Sequence, residues 1–134
     1  MISVAEAQAA VLALATPPQA EPVPLRHAAG RWMLAHATAL ADQPPFDASA
    51  MDGYAVAGEA PPGACFSVVG EAAAGRAYPG ALAPGQAIRI FTGAPVPPGA
   101  TRVVIQEDVA RTGDTITVGR TPDAGLHIRA RGQD

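Results

Sequence analysis

Turn signals, more than any apolar run, constrain what this sequence can become. Between residues 61 and 114 they recur as Pro61-Pro62-Gly63, Tyr78-Pro79-Gly80, Ala83-Pro84-Gly85, Pro97-Pro98-Gly99 and Thr112-Gly113-Asp114. Glycine reaches backbone conformations closed to other residues and proline cannot donate to a ladder, so each cluster ends whatever precedes it. The intervals hold short β-rich runs: Ala64 to Glu71, Gln86 to Phe91, Thr101 to Glu107, Val109 to Arg111 and Thr115 to Val118. Strands this short, at this spacing, predict a small barrel or coiled sheet. Thr112-Gly113-Asp114, between two alternating runs, predicts a hairpin. With fourteen Gly and fourteen Pro in the chain, well above ordinary usage, few long helices are expected.

The chain before this region reads differently. Ser3-Val4-Ala5-Glu6 is a capping box, in which Ser3 accepts from the Glu6 amide and Glu6 from the Ser3 amide. Val4, Ala7, Val11, Leu14 and Ala15 follow at helical spacing, predicting an amphipathic packing helix over residues 4–15 that Pro17-Pro18 ends. Glu21 to Leu25, interrupted by Pro22 and Pro24, reads as an edge strand at best. His27 to Gly30 reads as a short helical turn, and the alternation of Trp32 and Leu34 predicts a strand over 31–41.

At 134 residues the chain is one domain, or two small ones sharing a core. A net charge of −3 argues against nucleic acid, which needs a basic stripe. No apolar run approaches membrane-spanning length, and the amino terminus lacks a basic segment followed by an apolar one, so a cytoplasmic protein is expected. Cys65, alone and between Ala64 and Phe66, reads as a small buried hydrophobe. His27, His36 and His127 are too scattered for a His-based metal site.

Three irregular stretches carry the chemistry. Pro44 to Val56 holds Asp47, Ser49 and Asp52 in a loop that runs through a predicted Asp52-Gly53 tight turn into a strand at Tyr54. Arg89 to Ala100 is a strand that stops at Thr92-Gly93. Gly93 lets backbone approach a ligand, and the amides around it can form an anion-binding concavity beside the Thr92 hydroxyl. On its own this stretch also suits a rigid polyproline-like loop. The end of the chain places Arg129 and Arg131 at strand spacing, which suits a phosphate or pterin-type ligand, and equally a solvated face.

Together, FDASAMDGYAV, GQAIRIFTGAPVPPGATRVVIQEDV and IRARGQD, in this order, resemble the amino-terminal region of the MoeA and gephyrin E-domain family of molybdopterin molybdotransferases. The resemblance implies insertion of molybdate into adenylylated molybdopterin with release of AMP, in a Mg²⁺-dependent reaction. It carries catalytic roles onto Asp52, Thr92 and Asp134. Asp52 and Asp134, as hard oxygen donors, suit Mg²⁺ or the orientation of a water. Thr92 suits an oxyanion. Ser49, Gly93, Arg129 and Arg131 are expected to bind substrate, and Asp47 to cap a turn. Ala48 departs from a common Asn, Gln133 from a common Glu and Thr101 from a usual Asp. The missing acid at position 133 weakens a metal site built here alone.

The expected fold is α+β, mainly β, with coiled or bifurcated sheets and one capped helix. Residues 1–46 with 120–134 form an elongated α/β lobe, and 47–119 a β-barrel-like lobe, which brings Asp52 and Asp134 towards each other. The family pattern continues with a MogA-like α/β domain and a carboxyl-terminal β domain, both absent from this chain. The family forms homodimers that place the amino-terminal region over the partner subunit's MogA-like domain, so the isolated chain is expected to fold without turning over. The alternative is a non-catalytic β module for dimerisation or docking.

Overall fold

A computed structural model of the chain describes residues 2–16 and 19–134. Two compact units are present, Met1–Thr38 and Ala39–Asp134.

The first unit has one helix, α1 (Val4–Ala13), and a single 3-10 turn at Leu25–His27. Ser3 and Glu6 close the predicted capping box, with Ser3 N donating to Glu6 Oε2 at 2.7 Å and Glu6 N to Ser3 Oγ at 3.2 Å. Regular helix stops at Ala13 rather than residue 15. The Leu14 and Ala15 amides reach back only three residues, to Val11 and Leu12, which tightens the last turn. Pro17-Pro18, the expected terminator, lies outside the described residues. The helix was expected to pack, yet it buries none of its residues.

Two expected strands are not formed. Glu21 to Leu25 has irregular backbone leading into the 3-10 turn, because Pro22 and Pro24 supply no ladder donors. Residues 31–41 contain bends and no strand, and every side chain from Arg31 to Leu40 is exposed. Alternation of Trp32 with Leu34 specifies a strand only where an edge is available to pair with.

The second unit is mainly β. Strands β1 (Ala48–Ser49) and β8 (Ile128–Arg129) form a two-stranded antiparallel sheet. The other six are β2 (Gly53–Val56), β3 (Cys65–Ala72), β4 (Gln86–Ile90), β5 (Arg102–Ile105), β6 (Val109–Thr112) and β7 (Thr115–Val118). They form one curled sheet in the order β5-β2-β4-β3-β7-β6, in which only β3 and β4 are parallel. The predicted hairpin is present: Thr112 pairs with Thr115 across Gly113-Asp114. Past Ile105 the expected strand becomes a 3-10 turn, Gln106–Asp108.

Both faces of the central strands are apolar. Tyr54, Val56, Phe66, Val104, Ile116 and Val118 pack on one side, and Ala55, Ala72, Leu82, Ile88, Ile90 and Val103 on the other. This explains why all four residues of β2 are buried. Each large aliphatic side chain buried this way contributes roughly 1.5–3 kcal/mol. Cys65 is exposed, against expectation. The β3 alternation turns Phe66 inward, so its neighbour faces out.

Gly53 was expected to supply a tight turn through positive φ. It is instead the first residue of β2 and is absent from the positive-φ glycines. It is required for close approach, since a Cβ there would stand 2.1 Å from the Val104 carbonyl oxygen on β5.

Candidate functional site

The loop from Pro44 to Asp52 is anchored at both ends. At its centre, Ser49 is buried and its hydroxyl donates to the Met51 carbonyl at 2.6 Å. The Ser49 amide donates to Ala94 O at 2.9 Å, and its carbonyl accepts from the Gly93 amide at 2.8 Å. This double bond fastens the first irregular stretch to the second. Ser49 therefore shapes the loop, with its hydroxyl spent inside it.

The consequence is a close pair. Asp52 Oδ1 accepts from the Thr92 amide at 2.8 Å and from the Thr92 hydroxyl at 2.7 Å. Asp52 is partly exposed and Thr92 exposed. The Thr92 amide first, then its hydroxyl, hold the Asp52 carboxyl below the usual aspartate range; slight desolvation opposes them, and the Arg89 charge adds to them. Asp52 is thus a fixed anion with one oxygen doubly engaged.

The expected anion-binding concavity at Thr92-Gly93 is not open. Gly93 has the required positive φ of 80°. However, the amides of Thr92, Gly93 and Ala94 donate to Asp52, Ser49 and Phe91 respectively. Three successive donors are consumed within the protein, which leaves none for an oxyanion.

Asp134 belongs to a neighbouring cluster. It forms an ion pair with Arg129, and its amide donates to Gln43 O at 2.9 Å. Arg131 Nε pairs with Asp42 Oδ2 at 2.6 Å, and the Arg131 amide donates to Asp47 Oδ1 at 2.9 Å. Asp47 was expected to cap its own turn; it reaches instead across 84 residues of sequence. Gly132 N donates to Pro44 O at 2.9 Å, so residues 129–134 are laced along 42–47. None of the hydrogen bonds or ion pairs among the described residues joins Asp134 to Asp52 or Thr92. Ser49, Gly93, Asp52 and Thr92 come together; Arg129, Arg131 and Asp134 form a second group.

Arg89 was given no role by the sequence, yet it stands beside the pair. Its guanidinium lies 5.2 Å from the Tyr54 ring centre and 4.7 Å from that of Phe91. It donates to Gly53 O at 3.2 Å and to Gln106 Oε1 at 2.6 Å. One signal was available: a lone charge between two isoleucines, three residues before Thr92.

The described residues do not fit a self-contained magnesium site. No group of three or more His, Cys, Asp or Glu side chains among them is arranged to hold a metal ion. Magnesium requires a near-octahedral shell of oxygens. Asp52 has Oδ1 committed to Thr92, and Asp134 is paired with a guanidinium.

Known proteins resemble this chain in sequence and in fold. The family model described as "MoeA N-terminal region (domain I and II)" matches residues 2–134. The chain is 39% identical over 118 residues to molybdopterin molybdenumtransferase 2 of Mycobacterium tuberculosis, covering 84% of this chain and 29% of that protein. It is 37% identical over 117 residues to molybdopterin molybdenumtransferase of a Nostoc species, covering 83% of this chain and 27% of that one. Its fold matches the crystal structure of the molybdopterin biosynthesis moeA protein from Pyrococcus horikoshii OT3 with a TM-score of 0.70 at 38% identity, over 85% of this chain and 32% of that chain. The chain therefore spans under a third of the length of these three relatives.

Proposed function

The chain belongs to the MoeA family through its N-terminal region, and from that premise we propose that it forms one wall of a molybdopterin molybdotransferase site. The substrates are molybdate and adenylylated molybdopterin, and AMP is released. The observation that carries the proposal is the doubly bonded Asp52–Thr92 pair, built from two motifs 40 residues apart.

The chemistry of the pair favours one role over another. A carboxylate held ionised repels molybdate and phosphate, so Asp52 suits the orientation of a water or an N–H group on the pterin side. Thr92 serves chiefly to fix that carboxylate rather than to hold an oxyanion. Ser49 and Gly93 support the pair from behind. Arg129 and Arg131 are the cationic groups suited to anionic substrate oxygens, and each must exchange a carboxylate partner, Asp134 or Asp42, for the ligand. Asp134 then acts as the counter-charge that keeps Arg129 in place until substrate arrives. Magnesium enters only with most of its ligands from outside this chain, with Asp52 Oδ2 as one oxygen it can take, and no step here runs through it. A biosynthetic role of this kind places the protein in the cytoplasm.

The wall needs an opposite side. In the family pattern this is the MogA-like α/β domain, brought over the amino-terminal region by a homodimer. The lacing of 129–134 along 42–47 lies within the unit Ala39–Asp134 and brings the end of the chain onto the segment before β1. The exposed Val11, Leu12 and Leu14 around the end of α1 support a second reading, a module whose main task is assembly.

A chimera separates the two. This chain replaces the matched region of the Mycobacterium tuberculosis relative, and molybdenum insertion is measured with and without Asp52→Asn. Loss of insertion with dimerisation intact is expected; a normal rate in the folded variant leaves only the assembly role.

A further inference from the structure

We propose that Arg89 is the positioning residue of the Asp52–Thr92 pair, holding both of its arms at once. One arm is the Asp52-Gly53 segment. Arg89 donates to the carbonyl of Gly53, the residue after Asp52, at 3.2 Å. It donates also to Gln106 Oε1 at 2.6 Å, and the Gln106 amide in turn donates to the Asp52 carbonyl at 3.1 Å. The other arm is Phe91-Thr92, where the guanidinium stacks on the Phe91 ring at 4.7 Å, immediately before Thr92. Tyr54, the cross-strand partner of Arg89 on β2, offers the guanidinium a second ring at 5.2 Å.

Three features make this more than ordinary packing. Arg89 takes part in none of the ion pairs among the described residues, and its acceptors are a neutral carbonyl and a neutral amide. Its positive charge is therefore not cancelled at contact, and it adds to the two Thr92 hydrogen bonds, as a lesser cause, in favouring the charged Asp52 carboxylate. It is half-buried between Ile88 and Ile90, both fully buried, so its backbone is fixed by the core of the sheet. A planar fork that stacks on two rings while donating from its edge cannot be reproduced by an ammonium group. Without it, the backbone bonds of Ser49, Gly93 and Gln106 remain, but no side chain couples the Asp52-Gly53 segment to Phe91-Thr92 apart from the pair itself.

The catalytic consequence depends on the Asp52–Thr92 pair being the site proposed above; the positioning itself does not. The test is amide hydrogen exchange on the 134-residue chain by NMR. In Arg89→Met, the Thr92 amide should lose protection by about tenfold, while Ala55, Ile88 and Val104 keep theirs. Arg89→Lys should lose as much, because charge alone does not rebuild the stack and fork. Unchanged Thr92 protection in a folded Arg89→Met, or full rescue by Arg89→Lys, overturns the proposal. If Arg89→Met also loses core protection, Phe91→Leu decides in its place: selective loss at Thr92 supports the stack, and no change removes it. Selective loss at Thr92 combined with an active Asp52→Asn chimera leaves the positioning role standing and withdraws the functional one.

Discussion

Asp52 and Thr92, 40 residues apart in the chain, meet through two hydrogen bonds to a single carboxylate oxygen, at 2.8 Å from the amide and 2.7 Å from the hydroxyl. Both bonds favour the charged form, so the folded pKa lies below the ordinary value of 3.8. A depressed carboxylate stabilises the fold above its unfolded pKa, and that contribution disappears as pH falls through the folded one. Following the Asp52 carboxyl ¹³C signal with pH should therefore give a midpoint below 3.8. Thr92→Val keeps the amide, the larger cause, and removes the hydroxyl, so the midpoint should rise only part of the way. A wild-type midpoint at or above the ordinary value would contradict the bonded pair.

Gly53 and Gly93 flank that pair and are required for different reasons. At Gly53 a Cβ would meet the Val104 carbonyl oxygen at 2.1 Å, a backbone atom of the edge strand β5, which must move away from β2 to admit it. Gly53→Ala should cost roughly 3 kcal/mol. At Gly93 the nearest atom to a built Cβ is Ala74 Cβ at 3.9 Å, so Gly93→Ala meets only the strain of a positive φ, about 1–2 kcal/mol. Urea unfolding of the two variants should rank them in that order, and equal losses would mean that β2 and β5 can separate without cost.

The ladder was legible because its cues are local. The Gly/Pro clusters lie between strands, and the Thr112–Thr115 hairpin follows from two turn residues between alternating runs. That Asp52 and Thr92 belong to one site was implied only by the catalytic roles the family resemblance carries onto both, since no local rule pairs β2 with β4. Trp32 and Leu34 misled because alternation is necessary for a strand but a pairing edge must also exist, and residues 31–41 have none among those described. Cys65 misled because an apolar neighbourhood in sequence says nothing of the phase of a strand. Arg89 was passed over for a related reason: a charge in an alternating strand reads as a solvent-facing residue until its contacts with the Tyr54 and Phe91 rings are seen.

The outward turn of Cys65 has a direct chemical test. Its thiol lies 3.6 Å from Gly63 O and 3.5 Å from Thr117 Oγ1, contacts at the sheet surface rather than in the core. The native protein should therefore react with a disulfide reagent within about tenfold of the urea-unfolded chain, reactivity following access to the thiolate. Protection by several orders of magnitude would place Cys65 inside and reverse the phase of β3.

Helix α1 sets the last expectation. It is ten residues long and buries none of them. Isolated helices shorter than about 12–15 residues are marginal in water, because nucleation is costly and few bonds repay it. What supports α1 within the chain is its cap, and the Ser3 amide first, then the Ser3 hydroxyl, draw the Glu6 carboxyl below its ordinary range. The sign is that of Asp52: the support is full above the ordinary glutamate range and fades as pH falls through the lowered folded value. The helix should thus be the first element lost in acid, with the 222 nm signal declining before the β core opens. Ser3→Ala should produce the same partial loss at neutral pH. Amides from Val11 to Ala13 should exchange far faster than that of Ile88, which sits fully buried on β4. In the chimera, exchange over Val4–Ala13 should slow if the rest of the family chain covers the exposed Val11, Leu12 and Leu14. Equal protection of α1 and β4 in the isolated chain would show that α1 already has a packing partner, and would remove the support that those exposed side chains give to the assembly role.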